Sequence, residues 1–370
     1  MDETIKQEQT IKQEQTIKPV IKIKRPLNKP KPRLVLEEDA RPCDLVPCDL
    51  VPCDLVPCDL VSCDLVPCDL VPCDLVPCDL VPCKLIAAKE SLRLKGYAVI
   101  EDVITPDQVA TAKQYFRDWL ISNPALTEKH NKINPHGIFK FGEIGHQRHA
   151  WYLRTLDDVQ APFRTIWDTT ELTTGFDGSC WMSSDCNKKD SIWTHTDQAP
   201  DTKGLTCVQG FIALTSNKER SLVVYEGSHL LHEAYMTEKA ITGKKNWLLI
   251  DHDYLARIAS TKKVLEVKAG SLVLWDSRTF HQNQYGQMGE ERIVQYICLL
   301  PKTHKSNTPA QQQKRLKYFE ERRTTSHWPY PLQVNGKQPQ VYGNPELLID
   351  YSTLIPPHLH DLADKIKLLL

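Results

Sequence analysis

The chain has 370 residues with 46 basic and 47 acidic side chains, a net charge of −1. Charge this even calls for no polyanionic partner such as nucleic acid, and no apolar run reaches the roughly 18 residues of a membrane-spanning helix. The aromatic residues (8 Phe, 8 Trp, 12 Tyr) all follow position 96 and the 15 glycines all follow position 83, so the chain divides near there into two kinds of sequence.

Residues 1–41 predict a disordered polar and basic tail. The opening MDETIKQEQTIKQEQ is polar, unlike a secretory signal or transit peptide, which leaves the cytoplasm or nucleus as the expected location. From Lys18 to Arg33 seven Lys or Arg occur without an acid, broken by four prolines. Such a run is a solvated extended linker, a nuclear-import signal or a phosphate-contacting arm, and the linker is the simpler reading. Residues 42–83 repeat P-C-D-L-V with one substitution, Ser62. Written C-D-L-V-P, the unit is similar to the pentapeptide repeats that wind a four-sided β-helix. Nine units make barely two coils, and Pro removes a backbone donor in almost every unit, so a low-complexity spacer fits better. Cysteines five apart also lack the C-x-x-C spacing of a structural zinc site. A tail of this kind is a place for a protein partner to bind.

Residues 84–370 predict one globular domain. IAAKESLRLKGY reads as a helix ending at Gly96, YAVIEDV (97–103) as a strand, and Thr105-Pro106-Asp107 as the start of a helix through Ile121. Residues 130–150 read as loop and 156–170 as a helix. Short apolar strands are expected at 205–214, 221–225, 263–267, 271–275 and 291–300, followed by a polar helix at 309–323 and a last one, HDLADKIKLLL. Helices followed by many short strands predict a mainly β fold with α: a double-stranded β-helix, or cupin-like jelly roll, behind an N-terminal helical buttress. Only Cys180, Cys186, Cys207 and Cys298 fall beyond the repeat, with no disulfide-framework spacing, as suits a reducing compartment.

Among 13 histidines, spacing selects two. In an extended segment His195 and Asp197 point to one face and can grip one ion. His281, just past the strand at 271–275, is the best third ligand. Two imidazoles and one carboxylate leave coordination positions open and suit a non-haem Fe(II) that activates O2. Arg292 heads a strand whose other members are mostly apolar, where a buried guanidinium needs an anion. The far carboxylate of 2-oxoglutarate fits it.

With these residues in place the chain resembles the phytanoyl-CoA dioxygenase-like branch of the Fe(II)/2-oxoglutarate-dependent oxygenases over roughly 90–300. The matching features are His195-x-Asp197, the distal His281, Arg292 after it, VVYEGSH (223–229) and GSLVLWDSRTFH (270–281). The resemblance implies a jelly-roll barrel with iron at its mouth, metal ligands His195, Asp197 and His281, and Arg292 as the co-substrate anchor. It implies hydroxylation of a small molecule or other substrate with release of succinate and CO2. Asp197 argues for hydroxylation, since halogenases of this superfamily lack that carboxylate. The Gly-Ser-His turn lacks the usual preceding Pro, and no CoA-binding surface is recognisable, so an acyl-CoA substrate does not carry over.

Asn283 shares a face with His281 and is a candidate for the co-substrate. Trp193, Gln209 and Arg278 are candidates for substrate contact, although Trp193 could be core and Arg278 could pair with Asp276. The pairs His146/His149 and His229/His232 have no carboxylate in register and read as loop or surface residues. Asp251 reads as the cap of a short helix, DYLARIA. The alternative to an enzyme is a catalytically silent cupin-like scaffold carrying the repeat tail as its interaction module.

Overall fold

A computed structural model describes residues 82–370 apart from Met288. The expected disordered tail and all but the end of the repeat lie outside the described residues. The helices are α1 (Pro82–Lys95), α2 (Pro106–Ser122), α3 (Pro124–Ile133), α4 (Arg148–Arg154), α5 (Asp157–Trp167), α6 (Ser228–Glu238), α7 (His252–Arg257), α8 (Pro309–Glu320) and α9 (Ala363–Leu369). The strands are β1 (Tyr97–Ile100), β2 (Ile138–Phe139), β3 (Leu172–Thr174), β4 (Ser179–Met182), β5 (His195–Thr196), β6 (Val208–Ala213) and β7 (Leu222–Tyr225). They continue with β8 (Leu248–Leu249), β9 (Lys262–Val264), β10 (Leu272–Asp276), β11 (His281–Asn283), β12 (Arg292–Ile297) and β13 (Leu299–Pro301).

Six strands form one sheet in the order β1-β10-β6-β12-β4-β2, and five form a second, β8-β5-β11-β7-β9. All pairings are antiparallel. Phe211, Val273, Trp275 and Val294 of the first sheet share one apolar core with Leu222 and Val224 of the second, which makes the two sheets a sandwich. The alternate residues Val208, Ile212, Leu272, Leu274, Ile293 and Ile297 pack instead on Phe116, Leu153 and Phe163 of the helical layer. Both faces of the large sheet are therefore covered, which is why its strands read as nearly unbroken apolar runs. The fold is a mainly β jelly roll with open sheet edges and a helical buttress.

The first helix turns into β1 at Gly96, whose φ of +83° and crowded site admit no side chain: a Cβ there would lie 2.5 Å from His229 Nδ1 and 2.7 Å from Thr279 Oγ1. The cap of α2 is a capping box in which Thr105 and Gln108 each accept from the other's backbone amide. Asp251 caps α7 as read from the sequence, accepting from the Tyr254 amide.

Several local expectations change. The 97–103 strand stops at Ile100, because Asp102 takes a φ of 58° and turns the chain. The 130–150 segment is largely ordered: it holds the end of α3, the strand β2 and the start of α4. Strand β4 and helix α6 were not expected; α6 opens directly after Gly227, which takes a φ of +78°. The long 291–300 strand breaks at Cys298, and β13 pairs with β3 in a separate two-stranded sheet. Among the described residues no helix is long and apolar enough to cross a membrane.

Candidate active site

Strands β5 and β11 bring the two selected histidines together, with His195 directly opposite His281 across the antiparallel pair. Residues that face each other across such a ladder point to the same side of the sheet, so the imidazoles converge, their centroids 4.4 Å apart. Asp197 follows one residue beyond β5, and its amide donates to the Ser277 carbonyl at 2.9 Å, which pins the strand end. Asp197 Oδ2 lies 3.6 Å from His195 Nε2 and 3.3 Å from His281 Nε2. One ligand atom from each residue lies within 4.8 Å of the others, close enough to share one ion. All three side chains are buried.

The ring nitrogens are sorted by their neighbours. His195 Nδ1 faces the Trp193 carbonyl at 3.2 Å and His281 Nδ1 faces the Thr279 carbonyl at 2.9 Å. A carbonyl can only accept, so each Nδ1 carries a proton and each Nε2 is turned to Asp197, donating to it when the ring is protonated and offering a lone pair when the ring is neutral. Burial lowers the His281 pKa, and the charge of His195 adds to it, which favours the neutral ligand form. Burial works against charge on Asp197, yet the two facing imidazoles outweigh it and hold the carboxyl well below its ordinary range. Gln209 on β6 donates from Nε2 to Asp197 Oδ2 at 2.9 Å, fixing the rotation of the carboxylate.

Arg292 opens β12 and is 1% exposed. Its guanidinium lies over the Phe211 ring at 5.3 Å, and Nη1 donates to Asn283 Oδ1 at 2.8 Å. No carboxylate among the described residues pairs with it. Glu291 pairs with Arg117 and Lys113, and Glu290 accepts from the amides of residues 218–220. Nη2 is buried without a partner. A buried cation with an unused donor is costly unless an anion comes to it.

A cavity of about 190 Å³ opens on this cluster. Trp193, Gln209 and Asn283 line it, together with Asp177, Trp247, Trp275, Tyr296 and His327. Trp193 is held by its ring N–H donating to the Asn283 carbonyl and its backbone amide donating to Gln282 Oε1. Its indole is sandwiched between His136, at 3.7 Å between centroids, and His195, at 4.8 Å. Two rings are thus stacked on it. Arg278 is not brought to the cavity. It grips Asp276 with Nε and Nη2, the closest bond being 2.7 Å, and lines a separate depression beside His229. The turn at 276–279 carries it away from His281, and the pairing with Asp276 is the alternative the sequence offered.

The remaining histidine pairs are buried, a correction to their expected loop or surface placement. His146 is bonded to the Arg323 carbonyl and His149 to Ser179 Oγ, while His229 and His232 sit inside α6 against the carbonyls of Arg93 and Gln198. Sequence reasoning missed Asp177 and His327. Burial pushes the Asp177 carboxyl up to about 7, the Gly178 amide opposing, and burial pushes the His327 imidazole down to about 4. His327 lies in HWPY, an aromatic stretch in an otherwise polar terminus, and that was the available signal that the segment is buried. Asp177 carried no comparable signal.

A jelly roll that gathers two imidazoles and one carboxylate at a cavity, with a buried guanidinium bonded to the lining residue Asn283 behind it, defines the class of non-haem iron oxygenases that use a 2-oxo acid. The profile of the family described as Phytanoyl-CoA dioxygenase (PhyH) matches residues 92–284, just over half of the chain. The chain belongs to that family. It is 27% identical over 249 residues to "Ava biosynthesis cluster protein O" of Aspergillus versicolor, a match covering 58% of this chain and 77% of that protein. Similar solved structures include EctD from S. alaskensis with 2-oxoglutarate and 5-hydroxyectoine (15% identity, 58% of this chain and 74% of that one, TM-score 0.41). Another is the epimerase SnoN with Fe3+, alpha ketoglutarate and nogalamycin RO (17% identity, 60% and 85%, TM-score 0.42). The family's cofactors, Fe(II) and 2-oxoglutarate, fit the residues present: a convergent His-Asp-His donor set and a buried guanidinium with a free donor. The protein is therefore an oxygenase-type enzyme.

Proposed function

We propose that the protein hydroxylates a small molecule in a reaction that converts 2-oxoglutarate and O2 to succinate and CO2. The observation that carries this reading is the convergence of His195, Asp197 and His281 in one cavity, with the buried Arg292 bonded to the lining residue Asn283 and its Nη2 unused. His195 and His281 hold the metal through Nε2, and Asp197 holds it through Oδ2 with Gln209 fixing the carboxylate. Arg292 takes the distal carboxylate of 2-oxoglutarate through the unused Nη2, while Asn283 holds the guanidinium in place from the other side. Bound together, Fe(II) and 2-oxoglutarate supply the oxygen activation; one oxygen atom goes to succinate and the other to the substrate as a hydroxyl.

The protein's own part is binding, orientation and exclusion of water. Trp193, packed on His195 and bonded to β11, keeps the histidine ring from rotating. Trp275 and Leu222 present apolar surface to the cavity and keep water from the reacting centre. The intact carboxylate of Asp197 leaves no ligand position for a halide, which favours hydroxylation. The test is Fe(II)-dependent succinate release from 2-oxoglutarate, measured across a panel of small molecules. A substrate should raise release above the basal rate and gain one oxygen atom by mass, and His195→Ala should do neither. Release that is equal with and without Fe(II) would overturn the reading.

A further inference from the structure

The family match ends at residue 284, but the chain folds back on the cavity far beyond it. We infer that the C-terminal segment 324–335 completes the substrate end of this cavity, where His327 reads an uncharged oxygen function, a hydroxyl or carbonyl, on the small molecule. The inference rests on the oxygenase reading for the identity of the cavity, and on separate observations for its wall.

The segment is tied down on both sides. The Thr325 amide donates to the Phe176 carbonyl, and the Phe176 amide donates to Thr325 Oγ1, at 2.9 and 2.8 Å. Thr325 also bridges Val334 across the segment's own turn. Arg315 of α8, fully buried, donates to the Pro329 carbonyl and to Asn307 Oδ1, both at 2.9 Å. Trp328 and Tyr330 pack on Cys207, Cys298 and Leu300, and the Tyr330 hydroxyl donates to the Pro301 carbonyl. Between these anchors His327 faces the cavity. Its Nε2 is buried with no partner in the protein.

A fixed imidazole with an unused nitrogen in a cavity is a directional hydrogen-bonding group awaiting a partner. Ile138, Trp193, Trp247 and Asp177 line the same cavity. Trp247 is 40% exposed, which places it at the mouth. Asp177 does not make the wall a cation site. Its Oδ1 accepts from the Gly178 amide, and the buried Arg154, which donates to its backbone carbonyl at 2.7 Å, supplies positive charge nearby. An imidazole with one open, buried ring nitrogen pairs well with a neutral oxygen and poorly with a desolvated ion.

The test uses the full chain loaded with Zn(II) and saturating 2-oxoglutarate, so that no turnover occurs and Arg292 is occupied. Dissociation constants are measured by ligand-observed NMR for cinnamyl alcohol, cinnamate and cinnamylamine, three probes with one skeleton. The alcohol should bind about fivefold tighter than either ion, the size of one net hydrogen bond. His327→Ala should remove that preference, and His327→Gln, which still offers a donor and an acceptor, should restore most of it. Equal binding of the three probes, or a preference that survives in His327→Ala, would overturn the inference. Failure of the oxygenase reading shows differently, as absence of Fe(II)-dependent succinate release while the probe preference remains.

Discussion

At the floor of the cavity, His195 and His281 sit face to face in one antiparallel pair, and Asp197 is held two residues away by a backbone hydrogen bond to Ser277. The rest of the lining, the rim around that cluster, takes Asp177 and His327 from two loops that the chain separates by about 150 residues and that are joined through Thr325 and Phe176. The floor is positioned by ladder geometry and the rim by side-chain anchors such as Arg315. A ladder holds its residues to a fixed register whatever sequence surrounds it, whereas loops joined by side chains can change without disturbing the sheet. The chemistry and the choice of substrate are thus carried by separable parts of one cavity.

Substitutions should expose that division. The largest effect is expected at the floor: Asp197→Ala should reduce Fe(II) binding, followed by equilibrium titration, to background, because two imidazoles alone remain. Arg292→Met comes next. It should weaken 2-oxoglutarate binding by about 100-fold, roughly 3 kcal/mol, as removal of one partner of a buried charge pair does, while Fe(II) binding persists. Gln209→Leu removes the donor to Asp197 and should lower metal affinity about ten- to hundredfold in the same titration.

The floor was largely legible in the sequence and the rim was not. His195 and Asp197 could be paired because a strand repeats every two residues, and Arg292 stood out as a charge heading an apolar strand. Gln209 stood out because it lies on the strand after the His-x-Asp loop, and the side chain it meets is Asp197. Arg278 lies off the cavity because the turn at 276–279 reverses its direction, which periodicity cannot show. Helix α3 and strand β4 escaped because each is short and draws its stability from packing: Leu126 and Ile133 enter the helical core, and Cys180 and Met182 the sandwich core. His327 depends on docking between distant segments, for which no local pattern exists.

Smaller effects should appear at the rim. Arg315→Met strands the Pro329 carbonyl and the Asn307 side chain and should cost about 2–4 kcal/mol of stability in chemical unfolding. Fe(II) affinity should stay within about twofold of the wild type, and a loss as large as that of Gln209→Leu would show that floor and rim are not separable. A separate effect concerns pH. Burial pushes His146 and His149 down to about 3 and His130 down to about 4. The unfolded chain takes up protons on these groups below about 6.5, and the folded chain resists them. Their contribution to stability is complete above about 6.5 and declines as pH falls toward 3–4. The melting temperature should drop from pH 7 to pH 5, and His146→Gln, which removes the group facing the Arg323 carbonyl of the C-terminal region, should flatten that drop.

The central claim is that three side chains at the floor hold one ferrous ion beside a co-substrate fixed by Arg292. Anaerobic addition of Fe(II) and then 2-oxoglutarate to the full chain tests it most directly. A visible metal-to-ligand absorption band should rise to one equivalent, vanish in His195→Ala, and need far more 2-oxoglutarate in Arg292→Met. A wild-type protein that develops no band, or a His195→Ala variant that develops the same one, would contradict it.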